Sequence, residues 1–194
     1  QRAWPIIKQD IMAAIMKLYV CDGRGFAKLN KALMVLILKK CDAEEIGDYR
    51  PISLPHSFSK LFSKMMASRV RRRMKELINV NQSAFIQGRN LHDNFLLVRQ
   101  VARKIRARRA PGVFLKLDIS KAFDSVQWPF LVEVLQHMGF GPRWRSWIYG
   151  ILSTSTTKVM VNGEPGDTIY NWKGLRQGDP ISPMLFILTM EPLQ

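Results

Sequence analysis

Cysteine and histidine are scarce in this sequence, and their scarcity argues against a disulfide framework and against a structural zinc site. Two cysteines, Cys21 and Cys41, do not make a disulfide framework in a chain of 194 residues, so we expect reduced, buried thiols. The three histidines, His56, His92 and His137, lie far from the cysteines and show no zinc-ligand spacing. A hydrophobic content of 47% is instead enough for one buried core or two small lobes.

Long hydrophobic runs and acidic residues are also scarce. No apolar run approaches the roughly 20 residues that cross a bilayer, so we predict no membrane helix. Only 15 Asp and Glu residues face 30 Lys and Arg residues, which leaves a net charge of +15. In so apolar a chain this excess indicates a polyanionic partner, and nucleic acid is the most common one. An acidic membrane surface is the alternative, but it would favour basic helices with Trp or Phe on their apolar face.

The apolar periodicity predicts helices and strands in mixed order, which is typical of an α+β fold. Helices are predicted at Trp4–Tyr19, Ser59–Leu77, His92–Arg109, Ala122–Gly139, Pro142–Leu152 and Met184–Met190. Strands are predicted at Ala32–Leu38, Val113–Ile119, Thr157–Val161 and Ile169–Trp172, with Asn162-Gly163 as a hairpin turn. Asp48–Leu54 is interpreted as a loop.

Two of these helices are densely basic. Ser59–Leu77 has one apolar face, while its remaining surface carries seven Lys or Arg residues and a single Glu. His92–Arg109 alternates apolar residues with Arg and Lys in the same way. A solvated helix face usually mixes charges of both signs to form i,i+4 pairs, so this bias favours nucleic-acid contact over an ordinary solvated face.

Asp118 stands at the end of the predicted strand Val113–Ile119, among apolar neighbours. A buried carboxylate is costly unless it is paired or bound to a metal, and oxygen ligands suit Mg²⁺. The alternative is a capping or turn aspartate, which is the more common use of this residue type at a strand end.

A second polar segment, Gly174–Pro183, enters the last predicted helix. It could direct backbone N–H groups and the Gln177 amide toward a phosphate or a sugar. The alternative is an ordinary helix entry, with Asp179 or Ser182 as the cap and a proline in the first turn.

Four segments together resemble the consecutive motifs of one family. They are Asp48–Leu54 (DYRPISL), Asn81–Arg89 (NQSAFIQGR), Leu117–Val126 (LDISKAFDSV) and Arg176–Pro183 (RQGDPISP). In order and spacing they are similar to the motifs of non-LTR (LINE-type) reverse transcriptases, most closely those of plant elements. The resemblance covers nearly the whole chain. It implies an incomplete right-hand polymerase, with fingers and template-side helices at about 1–112 and the first half of the palm at about 113–194.

The resemblance implies metal-dependent nucleotidyl transfer. Asp118 matches the motif aspartate that binds two catalytic Mg²⁺ ions, which Mn²⁺ could replace, and the Ile119 carbonyl matches a further ligand. The ions would activate the primer 3′-hydroxyl and stabilise the leaving pyrophosphate. Asp124 is not a ligand in the family, and Asp179 is expected to cap the loop locally.

The resemblance also implies a set of nucleotide-binding residues. Arg50 matches a fingers arginine that contacts the incoming deoxynucleoside triphosphate, because a guanidinium can donate two bonds to phosphate. Phe123 matches the aromatic gate that excludes a 2′-hydroxyl, with a core aromatic as the alternative. Gln177 and Gly178 match the loop beside the nucleotide sugar and the templating pair, where glycine allows close backbone approach.

An RNA template and a DNA primer are the implied partners. Asn81–Arg89 matches a segment along the template, with Gln82 and Arg89 as its expected contacts. The basic helices would flank the RNA, and binding would weaken as salt rises. The expected contacts on the first of these helices are Lys60, Lys64, Arg69 and Arg72.

One family motif is missing, because the sequence contains no Asp-Asp pair. The resemblance therefore implies a chain cut before the Asp-Asp hairpin, either as a fragment of a longer polyprotein or as a decayed genomic copy. We expect no polymerase activity from the chain alone, together with unpaired strand edges and exposed apolar surface. The alternative function is a catalytically dead nucleic-acid-binding remnant of the same fold. By family, an intracellular location such as the nucleus is expected.

Overall fold

The computed structural model describes residues 3–20, 25–109 and 111–193. The helices described are α1 (Trp4–Val20), α2 (Ser57–Arg71), α3 (Met74–Leu77), α4 (Leu91–Ala107), α5 (Ala122–Ser125), α6 (Trp128–His137), α7 (Pro142–Ser153) and α8 (Ser182–Met190). The strands are β1 (Lys31–Leu38), β2 (Tyr49–Pro55), β3 (Thr156–Val161) and β4 (Glu164–Tyr170). Short 3₁₀ turns lie at Phe26–Lys28, Ile46–Asp48 and Glu191–Leu193. The predicted α+β fold is confirmed.

The four strands form one sheet in the order β2-β1-β3-β4. β1 pairs with β2 in antiparallel fashion, with Met34 opposite Ser53. β1 also pairs with β3 in parallel, with Lys31 opposite Thr156. The sheet therefore joins the early part of the chain directly to its late part.

The predicted hairpin is formed by β3 and β4, although its second strand begins at Glu164 rather than at Ile169. Asn162 and Gly163 at the turn have φ angles of 49° and 85°. Both values are left-handed, as a type I′ turn requires, and this explains the Asn-Gly pair.

β2 lies in a segment that the sequence pattern predicts as a loop, and that prediction is wrong. Pro51 and Pro55 weaken the strand signal in the sequence, because a proline lacks the backbone N–H that donates to a neighbouring strand. β2 is at the edge of the sheet, where such residues are tolerated.

Most predicted helices are confirmed, and two of them are divided. The predicted helix 59–77 becomes α2 and α3, and the predicted helix 122–139 becomes α5 and α6. The second division falls at Val126 and Gln127, just before Pro129, and a proline is accommodated in the first turn of a helix.

The core lies where α2, α6, α7 and α8 pack together. Each helix contributes a fully buried side chain, Met66, Leu131, Ile148 and Leu188 in that order. Since burying such a side chain stabilises by about 1.5–3 kcal/mol, these helices hold the molecule together.

The predicted strand Val113–Ile119 is wrong, because this segment has no regular structure. Its apolar side chains are exposed, Val113 by 97% and Leu117 by 78%. A strand needs a neighbour for its backbone hydrogen bonds, and none of the described strands pairs with this segment.

α4 lies beside Val113 and Phe114, and its apolar face is likewise exposed to solvent. None of its residues is buried, and Phe95 is 65% exposed although it belongs to the apolar face. The polar contacts of α4 lie near its start, where Asn94 Nδ2 donates to the Asn81 carbonyl at 2.8 Å and Ser83 Oγ donates to Asn94 Oδ1 at 2.9 Å. α4 and Val113–Ile119 together form one exposed apolar region.

Two further expectations concern cysteine and membranes. Cys41 is exposed, so the expectation of a buried thiol is wrong for this residue, and Cys21 lies outside the described residues. Within the described ranges, no helix has both the length and the hydropathy that a membrane span requires.

Candidate functional site

The loop between β4 and α8 brings together two of the four motif segments. Gly174 N donates to the Val126 carbonyl and Leu175 N donates to the Phe123 carbonyl, both at 2.8 Å. Trp128 Nε1 donates to the Gly174 carbonyl at 2.8 Å. Gly174 has a φ of +84°, and a Cβ there would lie 3.0 Å from the Asp124 Cα, so only glycine fits this contact.

The same loop then contacts a third motif segment, in β2. Ser53 N donates to the Gln177 carbonyl at 2.8 Å. Gly178 has a φ of +100°, and a Cβ there would lie 2.7 Å from the Ser53 carbonyl oxygen. Gly178 therefore makes a close backbone contact with β2, and its expected approach to a nucleotide stays a prediction. Arg50 lies in the same strand with an exposed side chain.

Arg176 attaches this loop to the starts of the two central strands, since Asn30 directly precedes β1 and Thr156 begins β3. Its guanidinium donates to Asn30 Oδ1 at 2.7 Å, to the Asn30 carbonyl at 2.8 Å and to the Thr156 carbonyl at 3.0 Å. Burial lowers the pKa of the Arg176 guanidinium and the charge of Asp179 opposes this, but arginine stays protonated in proteins. Sequence reasoning missed Asn30, because one polar residue before an apolar run carries no distinctive signal.

Asp179 attaches the loop to α2. Its side chain is 4% exposed, and Oδ1 accepts hydrogen bonds from Ser63 Oγ and, at 3.2 Å, from Ile181 N. Burial raises the pKa of the Asp179 carboxyl, while those hydrogen bonds and the charges of Arg176 and Lys60 oppose the increase. Local capping is present as expected, and the bond to Ser63 adds a link across the fold.

A cavity of about 230 Å³ lies between this loop and the sheet. Polar and charged residues on its wall include Ser53, Asp124, Thr157, Lys173, Arg176 and Gln177. Pockets for drug-sized ligands span roughly 300–1,000 Å³, so this cavity holds part of a nucleotide at most.

Phe123 is half-buried and packs on the core. Its ring stacks on Phe186 with centroids 4.8 Å apart and an interplanar angle of 15°. The alternative reading as a core aromatic is thus present in the structure. The gating role stays a prediction.

Asp118 and Ile119 lie in the exposed segment, where both are exposed. In the described ranges, no group of three or more His, Cys, Asp or Glu side chains could hold a metal ion. Mg²⁺ demands near-octahedral oxygen coordination, which one carboxylate and one carbonyl do not supply. The residues present therefore do not form a metal site by themselves.

The predicted template residues fall into two groups. Lys60, Lys64, Arg69 and Arg72 are all exposed on or just after α2. Arg89 instead turns inward and donates to the carbonyls of Ile78, Asn79 and Gln82, the last at 2.7 Å. Gln82 Oε1 accepts from Ala84 N at 3.1 Å. Arg89 and Gln82 therefore hold their own segment in shape, and their contact with a template stays a prediction.

Known proteins match this chain along most of its length. A family model described as Reverse transcriptase (RNA-dependent DNA polymerase) matches residues 37–194. The "Transposon TX1 uncharacterized 149 kDa protein" of Xenopus laevis is 32% identical over 163 residues, which are 84% of this chain and 12% of that protein.

Two further relatives carry the name "Retrovirus-related Pol polyprotein from type-1 retrotransposable element R2". The protein from Popillia japonica is 31% identical over 159 residues, 81% of this chain and 22% of the relative. The protein from Nasonia vitripennis is 29% identical over 190 residues, 97% of this chain and 18% of the relative. The chain therefore spans less than a quarter of each of these curated relatives, and all three are animal proteins.

Proposed function

Since this chain belongs to the reverse transcriptase (RNA-dependent DNA polymerase) family, we propose that it forms part of an RNA-directed DNA polymerase encoded by a non-LTR (LINE-type) retrotransposon. The observation that carries this proposal is the meeting of three motif segments at the loop residues Gly174–Gly178. Residues of those segments are far apart in the chain, so their convergence supports a common site. Closest similarity to plant elements stays a prediction.

We propose that the loop and β2 contact the incoming deoxynucleoside triphosphate. Arg50 is exposed on the strand that Gln177 and Gly178 touch, so its guanidinium is free to donate to phosphate oxygens. Gly178 permits the backbone approach that a side chain would prevent. Phe123 is held beside this loop by its carbonyl bond to Leu175 N, which supports its proposed role as the sugar gate.

We propose that Asp118 and the Ile119 carbonyl contribute ligands for Mg²⁺ or Mn²⁺. Reverse transcriptases generally use divalent metal ions, and an exposed carboxylate is available to take one. Further carboxylates would be needed to complete the coordination. In the parent protein we expect Val113–Ile119 to gain strand neighbours that bring Asp118 to the loop.

We propose that residues 1–112 act as fingers and template-side helices and that residues 113–194 act as the first part of the palm. Template RNA and primer DNA would lie along the exposed basic surface. Its proposed contacts are Lys60, Lys64, Arg69 and Arg72, followed by Gln82 and Arg89 at the adjoining segment. The net charge of +15 supports such a polyanionic partner.

The second candidate function is a nucleic-acid-binding remnant without catalysis. It is favoured by the exposed basic surface of α2 and by the exposure of Asp118, which joins no group of three potential metal ligands within the described residues. This candidate predicts RNA binding by every version of the chain and nucleotide incorporation by none.

Primer extension on an RNA template with Mg²⁺ separates the two candidates. Three proteins are compared: this chain, a version extended through the adjoining reading frame, and the extended version with Asp118→Asn. We expect incorporation only by the extended wild type, because Asp118→Asn removes a charged metal ligand. Incorporation by the Asp118→Asn protein would refute the proposed role of Asp118. RNA binding by all three without incorporation would support the remnant.

A further inference from the structure

The Arg176 guanidinium is a cation whose three hydrogen-bond acceptors are all neutral. Two of them belong to Asn30 and the third is the Thr156 carbonyl, at 2.7–3.0 Å. No carboxylate within the described ranges lies at salt-bridge distance from it. Arg176 is partly buried, and the charge of Asp179 offsets only part of the lost hydration, so a purely structural link would be made more cheaply by a neutral side chain.

Asn30 presents its amide to Arg176 in only one orientation. The side chain is fully buried, and Nδ2 donates to the Ile151 carbonyl at 2.6 Å and to Thr154 Oγ1 at 2.9 Å. An amide oxygen cannot donate, so Oδ1 must face the guanidinium. The end of α7 therefore fixes Asn30, and Asn30 fixes Arg176.

Arg176 directly precedes Gln177, so this connection ends at the proposed nucleotide loop. The loop is held by the bond between Ser53 N and the Gln177 carbonyl, by the Arg176 side chain before it and by the bond of Asp179 to Ser63 after it. Gly178 lies between these attachments, at a φ of +100° against β2. Loss of the Arg176 bonds removes the attachment on the Gln177 side, so we expect the Gln177 backbone to move more freely relative to Ser53.

We propose that Asn30 is a positioning residue, which holds Arg176 and through it the loop Gln177–Gly178 in the geometry that binds the deoxynucleoside triphosphate. This inference rests on the proposed polymerase function. Asn30 touches no nucleotide, so it acts on substrate binding through Arg176. Arg176 also lines the 230 Å³ cavity beside Gln177, so its positive charge is placed where it can attract an anionic ligand.

The kinetic test uses the extended polymerase with Asn30→Ala, Arg176→Lys and the double variant. Arg176→Lys keeps the charge but loses the forked donors, and it leaves the Asn30 bonds to α7 intact. We expect each single variant to raise KM for deoxynucleoside triphosphate about tenfold while kcat stays within about twofold, which is the loss of roughly one hydrogen bond. The double variant should be little worse than either single variant, because both act on the same contact.

Thr189→Val is the matched control. Thr189 is also a buried polar residue, but its Oγ1 donates to the Leu185 carbonyl at 2.7 Å within α8 and does not bond the loop. We expect its KM to stay within twofold of wild type. An unchanged KM in Asn30→Ala, or an equal increase in Thr189→Val, would overturn the proposal.

A second measurement does not depend on polymerase activity. Hydrogen exchange of the Ser53 amide, which is bonded to the Gln177 carbonyl, is compared in this chain for wild type, Asn30→Ala, Arg176→Lys and Thr189→Val. Faster exchange in the first two variants alone supports the positioning role even if no version polymerises, a result that would sink only the proposed function. Equal exchange in all four proteins would overturn the positioning role.

Discussion

The loop Arg176–Gly178 and the segment Val113–Ile119 are held by the protein in opposite ways. The loop is bonded to β2, to Asn30 and, through Asp179, to α2. The segment lies beside the uncovered helix α4 with its apolar side chains in solvent. Contacts within the described chain thus determine the backbone geometry of the loop. The backbone of Val113–Ile119 has no strand partner among the described residues. The proposed nucleotide positioning therefore depends on contacts that the described residues make, whereas the proposed metal binding requires further contacts to Val113–Ile119.

A core truncation tests this contrast most strongly. Leu135 is fully buried, while Leu117 is 78% exposed. We expect Leu135→Ala to lower the free energy of unfolding by about 2–5 kcal/mol and Leu117→Ala to change it by less than about 0.5 kcal/mol. Urea unfolding followed by circular dichroism measures both. Comparable losses would mean that Val113–Ile119 is packed in solution.

The glycine of the loop should be the next most sensitive position. In Gly178→Ala, the new methyl group would overlap the Ser53 carbonyl at a φ that alanine disfavours, so we expect a loss of about 2–3 kcal/mol. Gly141→Ala is the control, because Gly141 has a φ of −63° and open space around its Cβ position. The same urea experiment applies. A neutral Gly178→Ala would show that the loop does not rest on β2.

Asp179 makes the attachment of the loop to α2 depend on pH. Burial raises the pKa of its carboxyl in the folded state, so the folded protein holds the proton more tightly than the unfolded chain. The stability it contributes is present at low pH and is lost as pH rises from the ordinary value of about 3.9 through the raised pKa.

The Asp179→Asn variant tests this dependence, because Asn keeps an acceptor for Ser63 and cannot ionise. We expect its stability relative to wild type to increase as the pH rises above about 4, the ordinary pKa of an aspartate. Urea unfolding at several pH values measures the difference, with the exposed Asp124→Asn as control. A difference that does not vary with pH would contradict the raised pKa.

Hydrogen exchange gives the smallest and most local test. The amides of Gly174 and Leu175 donate to carbonyls of the neighbouring segment and should be protected. The amides of Val113–Ile119 have no such partners among the described residues and should exchange nearly as fast as in an unfolded peptide. Protection of both sets would show that the segment is paired, for instance in a dimer.

Helices and the hairpin could be predicted because their signals are local. The periodic apolar residues of α1 and α7 and the Asn162-Gly163 turn each report on a few neighbouring positions. β2 was not predicted as a strand, because Pro51 and Pro55 remove the local signal and its partner β1 lies earlier in the chain. Val113–Ile119 shows the converse, since a strong strand pattern does not form a strand without a partner.

At the candidate site, the need for glycine at Gly178 and the capping by Asp179 could be predicted, because both depend on the local backbone, whereas nucleotide contact by Gln177 and Gly178 stays a prediction. Asn30 could not, because its importance comes from being buried against α7 and Arg176 and not from its neighbours in sequence. The hydrogen bonds of Arg89 to the Ile78, Asn79 and Gln82 carbonyls could not be predicted either, and its contact with a template stays a prediction. Charge alone does not say whether an arginine faces outward.

The bond between Asn30 and Arg176 joins residues 146 positions apart. During synthesis, β1 and β2 leave the ribosome long before β3, and Asn30 must wait for the loop that it holds. Closing so long a connection costs entropy that only late contacts recover, so the nucleotide loop is expected to be among the last parts to form. A chain released early would carry the basic surface of α2 without a finished loop, so the surface of the proposed RNA contact would form before that of the proposed nucleotide contact.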